Sequence, residues 1–307
     1  MSNLKANSKM KNENMNKAAA KSELMPLLYP TVNSISGGKS SAYVAINYPA
    51  DYNVFSLVRV EDEDCRFPDE KLRKEVEDRI QAPFIGTVEM DEIIYTIFDL
   101  EQYLGEEINW VTGLPFEQII KNKSNYLPNK TARYCTTELK IRPIFHFLHE
   151  QGALPCITQL GFRAGEENRL LKKLDKLNER GFEEFKATFR KNENGTNHWE
   201  TIDFSRPSAP LIDDRVYRVD VNNFFKDKPI RFAEMNNCVG CHWRPEPLLN
   251  LMSQKQPNKY NWFIRQEENG KGTFKTGITY EEIKNANFTL ELDFDDFSPC
   301  DSGHCGV

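Results

Sequence analysis

The run Ser36-Gly37-Gly38-Lys39-Ser40-Ser41 has the chemistry of an anion cradle. Two adjacent glycines leave backbone N–H groups that no Cβ obstructs, and Ala42 to Ile46 suit a helix whose positive end faces the same point. Lys39 adds a full charge, and Ser36, Ser40 and Ser41 add hydroxyl donors. The spacing differs from the GxxxxGK[ST] loop, which places four residues between its glycines. A tight turn carrying an incidental lysine is the plain alternative.

A second constellation is Cys238-Val239-Gly240-Cys241, two thiols at the spacing common in iron-sulfur and zinc centres. Two ligands make half a site. The chain has 7 cysteines, and its tail supplies Cys300, His304 and Cys305. His242 and His304 keep a mixed Cys/His zinc set chemically reasonable, and an unligated pair of structural thiols is the remaining reading. Cys156, within Leu154-Pro155-Cys156-Ile157, reads as a core thiol. Cys65 sits in Glu61-Asp62-Glu63-Asp64-Cys65, whose carboxylates suit a water-bridged Mg²⁺, or simply a solvated acidic loop.

Arg163 and Arg169 flank Glu166 and Glu167 in a segment that follows an apolar run, where guanidinium forks fit phosphate or sulfate; ion pairing within the segment is the alternative. From Arg169 to Lys191 there are eight basic residues against four acidic ones, a place for a polyanion or a solvated helix face. His146 and His149 are flanked by Phe145, Phe147 and Leu148 and read as packed or surface histidines.

These groups need a scaffold. Pro30–Ile35, Val54–Val60, Phe84–Val88 and Ile157–Gly161 read as strands. Helical pattern falls at about Asp69–Ile80, after Cys135 with Thr136 or Thr137 as its cap, and around Leu248–Met252. The alternation predicts an α/β fold, a parallel twisted sheet with helices on both faces, Rossmann-like, with a smaller C-terminal cysteine-bearing subdomain. The expected division is a polar, disordered arm over 1–25, a nucleotide-binding domain over 26–225 and the subdomain over 226–307. A charged helical insertion is expected at about 170–195, closed by the Asn192-Glu193-Asn194-Gly195 turn.

The 307 residues carry a net charge of -6, so the chain as a whole is not a polycation that coats nucleic acid. No window reaches the roughly 18 apolar residues of a membrane span, and the first two dozen residues lack the apolar core of a signal peptide. A cytoplasmic location, without a membrane partner, is expected. There an odd set of cysteines points to metal, cluster or reactive thiols rather than a disulfide framework.

The glycine loop after a strand resembles the PP-loop of the adenine-nucleotide α-hydrolase superfamily, which includes ATP pyrophosphatases and phosphoadenosine phosphosulfate (PAPS) reductases. Arg133-Tyr134-Cys135-Thr136-Thr137-Glu138-Leu139-Lys140-Ile141-Arg142-Pro143 is similar to the Arg-Cys-Cys-x-x-x-Lys-x-x-Pro segment of cluster-bearing sulfonucleotide reductases. Gly161–Arg169 resembles the family's Gly-Ile-Arg-x-Asp-Glu-Ser-x-Arg segment, and Pro210-Leu211-Ile212-Asp213 with Asp220-Val221 resembles its Pro-Leu-Ile and Asp-Val pair. Ser40 stands where the family has Asp, Tyr134 replaces the first of two paired cysteines, and the family's Glu-Cys-Gly-Leu-His tail is absent.

The resemblance implies an adenine nucleotide, ATP or adenylyl sulfate, bound by Ser36, Gly37, Gly38, Lys39, Ser40, Ser41 and Arg163. It implies a [4Fe-4S] cluster on Cys135, Cys238, Cys241 and Cys305, or Cys300 in its place, with zinc as the alternative. Lys39, Arg163, Arg169 and Cys305 are then the catalytic candidates. Two chemistries are compatible: sulfonucleotide reduction by a thiolate, or ATP-dependent adenylation coupled to sulfur transfer in nucleic-acid modification. The second partner is accordingly a nucleic acid or a thiol protein, and a homo-oligomer is open. A non-catalytic, zinc-stapled binding module is the competing class.

Overall fold

Thr31–Ile35 forms β1, the centre of the sheet in a computed structural model that describes residues 29–288. The polar arm, Cys300, His304 and Cys305 lie outside the described residues. Gly38 ends the turn after β1 in an extended conformation, and α1 runs over Lys39–Asn47. Then follow β2 (Tyr52–Leu57), a 3-10 turn (Glu63–Cys65), α2 (Glu70–Ile80), α3 (Glu92–Leu104), β3 (Asn109–Thr112) and α4 (Phe116–Asn122). Asp69 caps α2 by accepting from the Leu72 amide, which is why that helix starts where it does.

A helical turn at Tyr134–Thr136 and a π-helical stretch at Thr137–Ile141 lead without break into α5 (Arg142–Glu150). The expected threonine cap is therefore wrong: Thr136 and Thr137 lie inside helical structure, and the first turn starts at Tyr134. Pro143 has no N–H to return to the Leu139 carbonyl, and the Ser56 hydroxyl donates to that carbonyl instead at 2.9 Å. A proline absorbed by a local π turn keeps the segment helical.

The chain continues with β4 (Cys156–Gln159), α6 (Glu167–Leu174), β5 (Glu183–Lys191), β6 (Asn197–Ser208), α7 (Pro210–Asp213), α8 (Arg218–Phe225), α9 (Glu246–Lys255), α10 (Pro257–Asn269) and α11 (Tyr280–Asn285). The sheet order is β3-β2-β1-β4-β6-β5. All neighbours are parallel except β5 and β6, which pair antiparallel. This is an α/β fold with a six-stranded, mostly parallel sheet, consistent with a Rossmann-like arrangement.

Alternation along the strands serves two cores. Ile35, Phe55 and Leu57 join the core built with α1, α2, α3 and α8, whereas Val32 and Val54 meet Ile144, Phe145 and Leu148 of α5. Helices thus cover both faces. A third core joins α9, α10 and α11 to α4 and to the segment after β2, with Trp262, Phe263 and Tyr280 packed against Phe116 and Val58.

Two expectations are corrected. Phe84–Val88 is not a sheet strand: Gly86 makes isolated bridges to Val60 and Arg66, and β3 occupies the sheet edge beside β2. A Cβ on Gly86 would stand 1.7 Å from the Cys65 carbonyl oxygen, so this segment is clamped onto the loop after β2. The charged insertion is helical only through α6. From Glu183 it is a strand, because Phe185 and Ala187 alternate inward against Phe145 and Phe204. The Asn192–Gly195 turn closes a hairpin, with Gly195 at a φ of 80°. No helix among the described residues is long and apolar enough to cross a membrane.

Candidate functional site

Strand order reverses between β1 and β4: the chain leaves β1 toward β2 and β3, then returns to β4 on its other side. In open α/β sheets the crevice at such a reversal, beyond the carboxyl ends of the strands, is where ligands bind. The loops after these two strands hold the glycine pair and Gly161–Arg163. The two loops touch, since a Cβ on Gly161 would lie 3.0 Å from the Ser40 carbonyl carbon and the Ser41 nitrogen.

Within the loop, Gly37 has a φ of 75° and rests on Ile93 of α3, whose Cγ2 would be 2.6 Å from an added Cβ. Both demands select glycine. The Ser41 hydroxyl accepts from the Ser36 amide at 3.1 Å and donates to the Gly38 carbonyl at 2.9 Å, which locks the loop's outline. The amides of Gly37, Gly38, Lys39 and Ser40 have no backbone acceptor among the described residues, as the first turn of a helix requires. Gly37, Gly38 and Ser40 are buried, and the Ser40 hydroxyl is also without a partner. Buried donors in this state are rare and costly, and an anion satisfies several at once.

Lys39 projects from the first turn to α8, where its Nζ donates to Asn222 Oδ1 at 3.1 Å and stands 5.9 Å from the Phe232 ring centre. Arg163 and Arg169 converge on Glu166: Arg163 Nε donates to Oε2 at 3.1 Å and Arg169 Nη1 to Oε1 at 2.5 Å. Burial disfavours the Glu166 carboxylate, but the Arg163 amide and the two guanidinium groups outweigh it and hold its pKa below the usual range. The ion-paired arrangement weighed from the sequence is thus the one present. The acidic loop is also engaged, with Asp62 2.7 Å and Asp64 3.1 Å from Arg265 of α10.

The other constellation gathers across more than a hundred residues. Cys135, Cys238 and Cys241 line one cavity of about 40 Å³, with Val58, His242 and Trp243 in the same wall. Val58 is the first residue after β2, so this cavity opens beyond the same edge of the sheet. The Cys238–Cys241 turn is held tightly: Arg244 donates to the Asn236 and Cys238 carbonyls, and the Tyr280 hydroxyl donates to the Gly240 carbonyl at 2.9 Å. Gly240 has no alternative, since a Cβ there would meet the Phe263 ring at 2.5 Å.

Burial, with Cys241 nearby, pushes the Cys135 thiol up to about 11. Burial and Glu89 push Cys238 well above its ordinary value, with Lys140 opposing. Lys140 and Glu89 form a largely buried pair at 2.9 Å. His242 is pushed down to about 4, first by burial and then by Arg133, Lys275 and Lys130, and its Nε2 has no hydrogen-bond partner. A tetrahedral zinc bound by thiolates at about 2.3 Å needs its sulfurs within roughly 4 Å of one another. No group of three or more His, Cys, Asp or Glu among the described residues is drawn together in the way a single metal ion needs. The three cysteines and His242, whose Nε2 is unpartnered, therefore share the lining of one small cavity without forming such a group.

Cys156 is fully buried in β4, as expected of a core thiol. Of the basic insertion, Arg169, Lys173, Arg180 and Arg190 are ion-paired with Glu166, Glu183, Asp203 and Glu200. Residues that the motif reading passed over are Gly161 as a packing contact, Arg244 as the clamp on the cysteine turn, and Trp243. Trp243 adjoins the cysteine motif, which was the one available signal. No protein-family model, curated protein or solved structure matches the chain.

Proposed function

We propose that the chain is a nucleotide enzyme of the PAPS reductase family, with an adenine-nucleotide α-hydrolase-like sheet and a C-terminal cysteine-bearing subdomain beginning near 226. Support comes chiefly from one observation: a donor-rich glycine loop lies at the β1/β4 reversal, with Gly161 packed on its helix. The phosphates of ATP or an adenylyl sulfate take the amides of Gly37 to Ser40, and Lys39 neutralises charge that develops on a leaving pyrophosphate. Arg163, braced by Glu166, keeps its guanidinium in place at the end of β4 rather than sweeping through solvent.

Cys135, Cys238 and Cys241 are the residues that would hold a [4Fe-4S] cluster, with Cys305 or Cys300 as a fourth ligand and zinc as the alternative metal. Such a cluster supplies electron transfer or a binding point for sulfur. The chain's own contribution is to half-bury the three cysteines, fix the 238–241 turn with Arg244 and Tyr280, and line the cavity with Phe263 and Phe274. The reaction is then sulfonucleotide reduction, or adenylation coupled to sulfur transfer onto a second substrate.

The test is calorimetric titration of anaerobically purified protein with ATP and with adenylyl sulfate, together with iron, sulfide and zinc analysis and a visible spectrum. Binding of one nucleotide, lost in Lys39→Ala with the fold intact, is the expected result. A colourless, zinc-loaded protein that binds neither nucleotide returns the chain to the class of stapled binding modules.

A further inference from the structure

The segment between α4 and Cys135 lays cations over aromatic rings around the mouth of the thiol cavity. Lys130 Nζ stands 5.7 Å and the Arg133 guanidinium carbon 5.0 Å from the Trp243 ring centre. Lys123 lies 5.6 Å from the Tyr134 ring centre, and Lys271 lies 5.2 Å from that of Tyr126. The parts are tied together: the Tyr134 hydroxyl donates to the Tyr126 carbonyl, and the Leu127 amide donates to the Lys271 carbonyl at 3.1 Å. Asn129 holds the intervening turn by accepting from the Thr131 and Ala132 amides.

The charge of two lysines on this surface is left for a ligand. Lys123 is shared with Glu138 at 3.0 Å, but the ammonium groups of Lys130 and Lys271 make no ion pair or hydrogen bond among the described residues. In the basic insertion Arg169, Arg180 and Arg190 are paired with acids, whereas none of its lysines stands over a ring among the described residues. The Tyr126 ring is an unusually open one, with the residue 60% exposed. Two exposed lysines without an ion pair, Lys130 and Lys271, set among ring faces suit a strand of phosphates and unstacked bases, since every base has a π-face to lay on a ring. A duplex, with its bases stacked inward, offers phosphates and groove edges but no base faces.

We propose that this surface, built from the 123–134 segment, Trp243 and Lys271, docks a single-stranded nucleic acid. Its phosphates lie along Lys123, Lys130, Arg133 and Lys271, and its bases lie against Tyr126 and Trp243. Because Trp243 also lines the cavity of Cys135, Cys238 and Cys241, the docked strand passes the mouth of the thiol site. This names the second substrate of the enzyme proposed above, yet it rests on its own residues and is tested without nucleotide.

The experiment is fluorescence anisotropy of full-length protein with a 5′-fluorescein-labelled 20-mer as single-stranded DNA, single-stranded RNA and duplex, across a salt series. Tight binding of either single strand over the duplex is expected, and the tighter of the two identifies the sugar. Trp243→Ala weakens it about tenfold. Lys130→Ala lowers the slope of log affinity against log salt by about 0.7, the value for one phosphate contact on a single strand. Should Trp243→Ala fail to fold, the exposed double variant Lys130→Glu, Lys271→Glu carries the same test. Unchanged affinity in that variant, loss of binding in Lys172→Glu, Lys186→Glu instead, or no binding by the parent protein at low salt overturns the proposal. A protein that binds the strand but no adenine nucleotide keeps this surface and sinks the enzyme reading.

Discussion

Gly161, two residues beyond β4, lies so close to the first turn of α1 that a Cβ would stand 3.0 Å from the Ser41 nitrogen. The contact joins the two loops that flank the sheet's reversal point, and it is made to backbone, which cannot swing aside. The shape of the crevice therefore depends on a residue that offers no functional group.

Gly161→Ala is expected to lower stability by about 1–3 kcal/mol, the usual cost of overpacking, because either the β4 loop or the first turn of α1 must shift. Nucleotide affinity falls with it. Urea unfolding and calorimetry check the two effects, and an alanine variant with parent affinity would separate the crevice from the nucleotide.

Lys39→Ala is expected to weaken nucleotide binding at least tenfold while stability changes by no more than about 0.5 kcal/mol, since the side chain is partly exposed and makes one hydrogen bond. Asn222→Ala removes the same hydrogen bond but leaves the charge. It is expected to keep most of the affinity, and equal losses in both variants would assign the effect to positioning by α8.

Glu166→Gln is expected to cost about 2–3 kcal/mol at neutral pH, the scale of hydrogen bonds to charged groups. The folded carboxyl is held below the unfolded value of about 4.3, so its contribution is present above that pH and is lost as pH falls through the folded value. Chemical unfolding at pH 7 and at pH 3 checks the sign: the gap between parent and variant narrows in acid. A gap that widened in acid would contradict the pairing with Arg163 and Arg169.

Metal affinity at the thiol cavity is expected to rise with pH between about 6 and 9, because thiols held above their ordinary values give up protons when they ligate. Chelator competition at both ends of that range measures it, and Cys135→Ser and Cys238→Ser each lower the metal content. Metal content unchanged in both variants would remove these cysteines from the ligand set.

Much of this was open to inspection in the linear chain wherever a function resides in neighbouring residues. The Ser36–Ser41 turn with its strand and helix, and the Cys238–Cys241 pair with the helix after it, are local, set by glycine's freedom and the period of apolar side chains. Strands β1, β2 and β4 were legible for the same reason. Tertiary structure alone decided the rest: that β4 lies beside β1, that Gly161 presses on α1, that Arg163 and Arg169 close on Glu166, and that Cys135 shares a wall with the 238–241 turn. It also turned Glu183–Lys191 into a strand, because a partner in β6 and the face of Phe145 were waiting to bury Phe185 and Ala187. Contacts between residues far apart in sequence follow from how sheet order and packing return the chain on itself, and no spacing along the chain encodes that return.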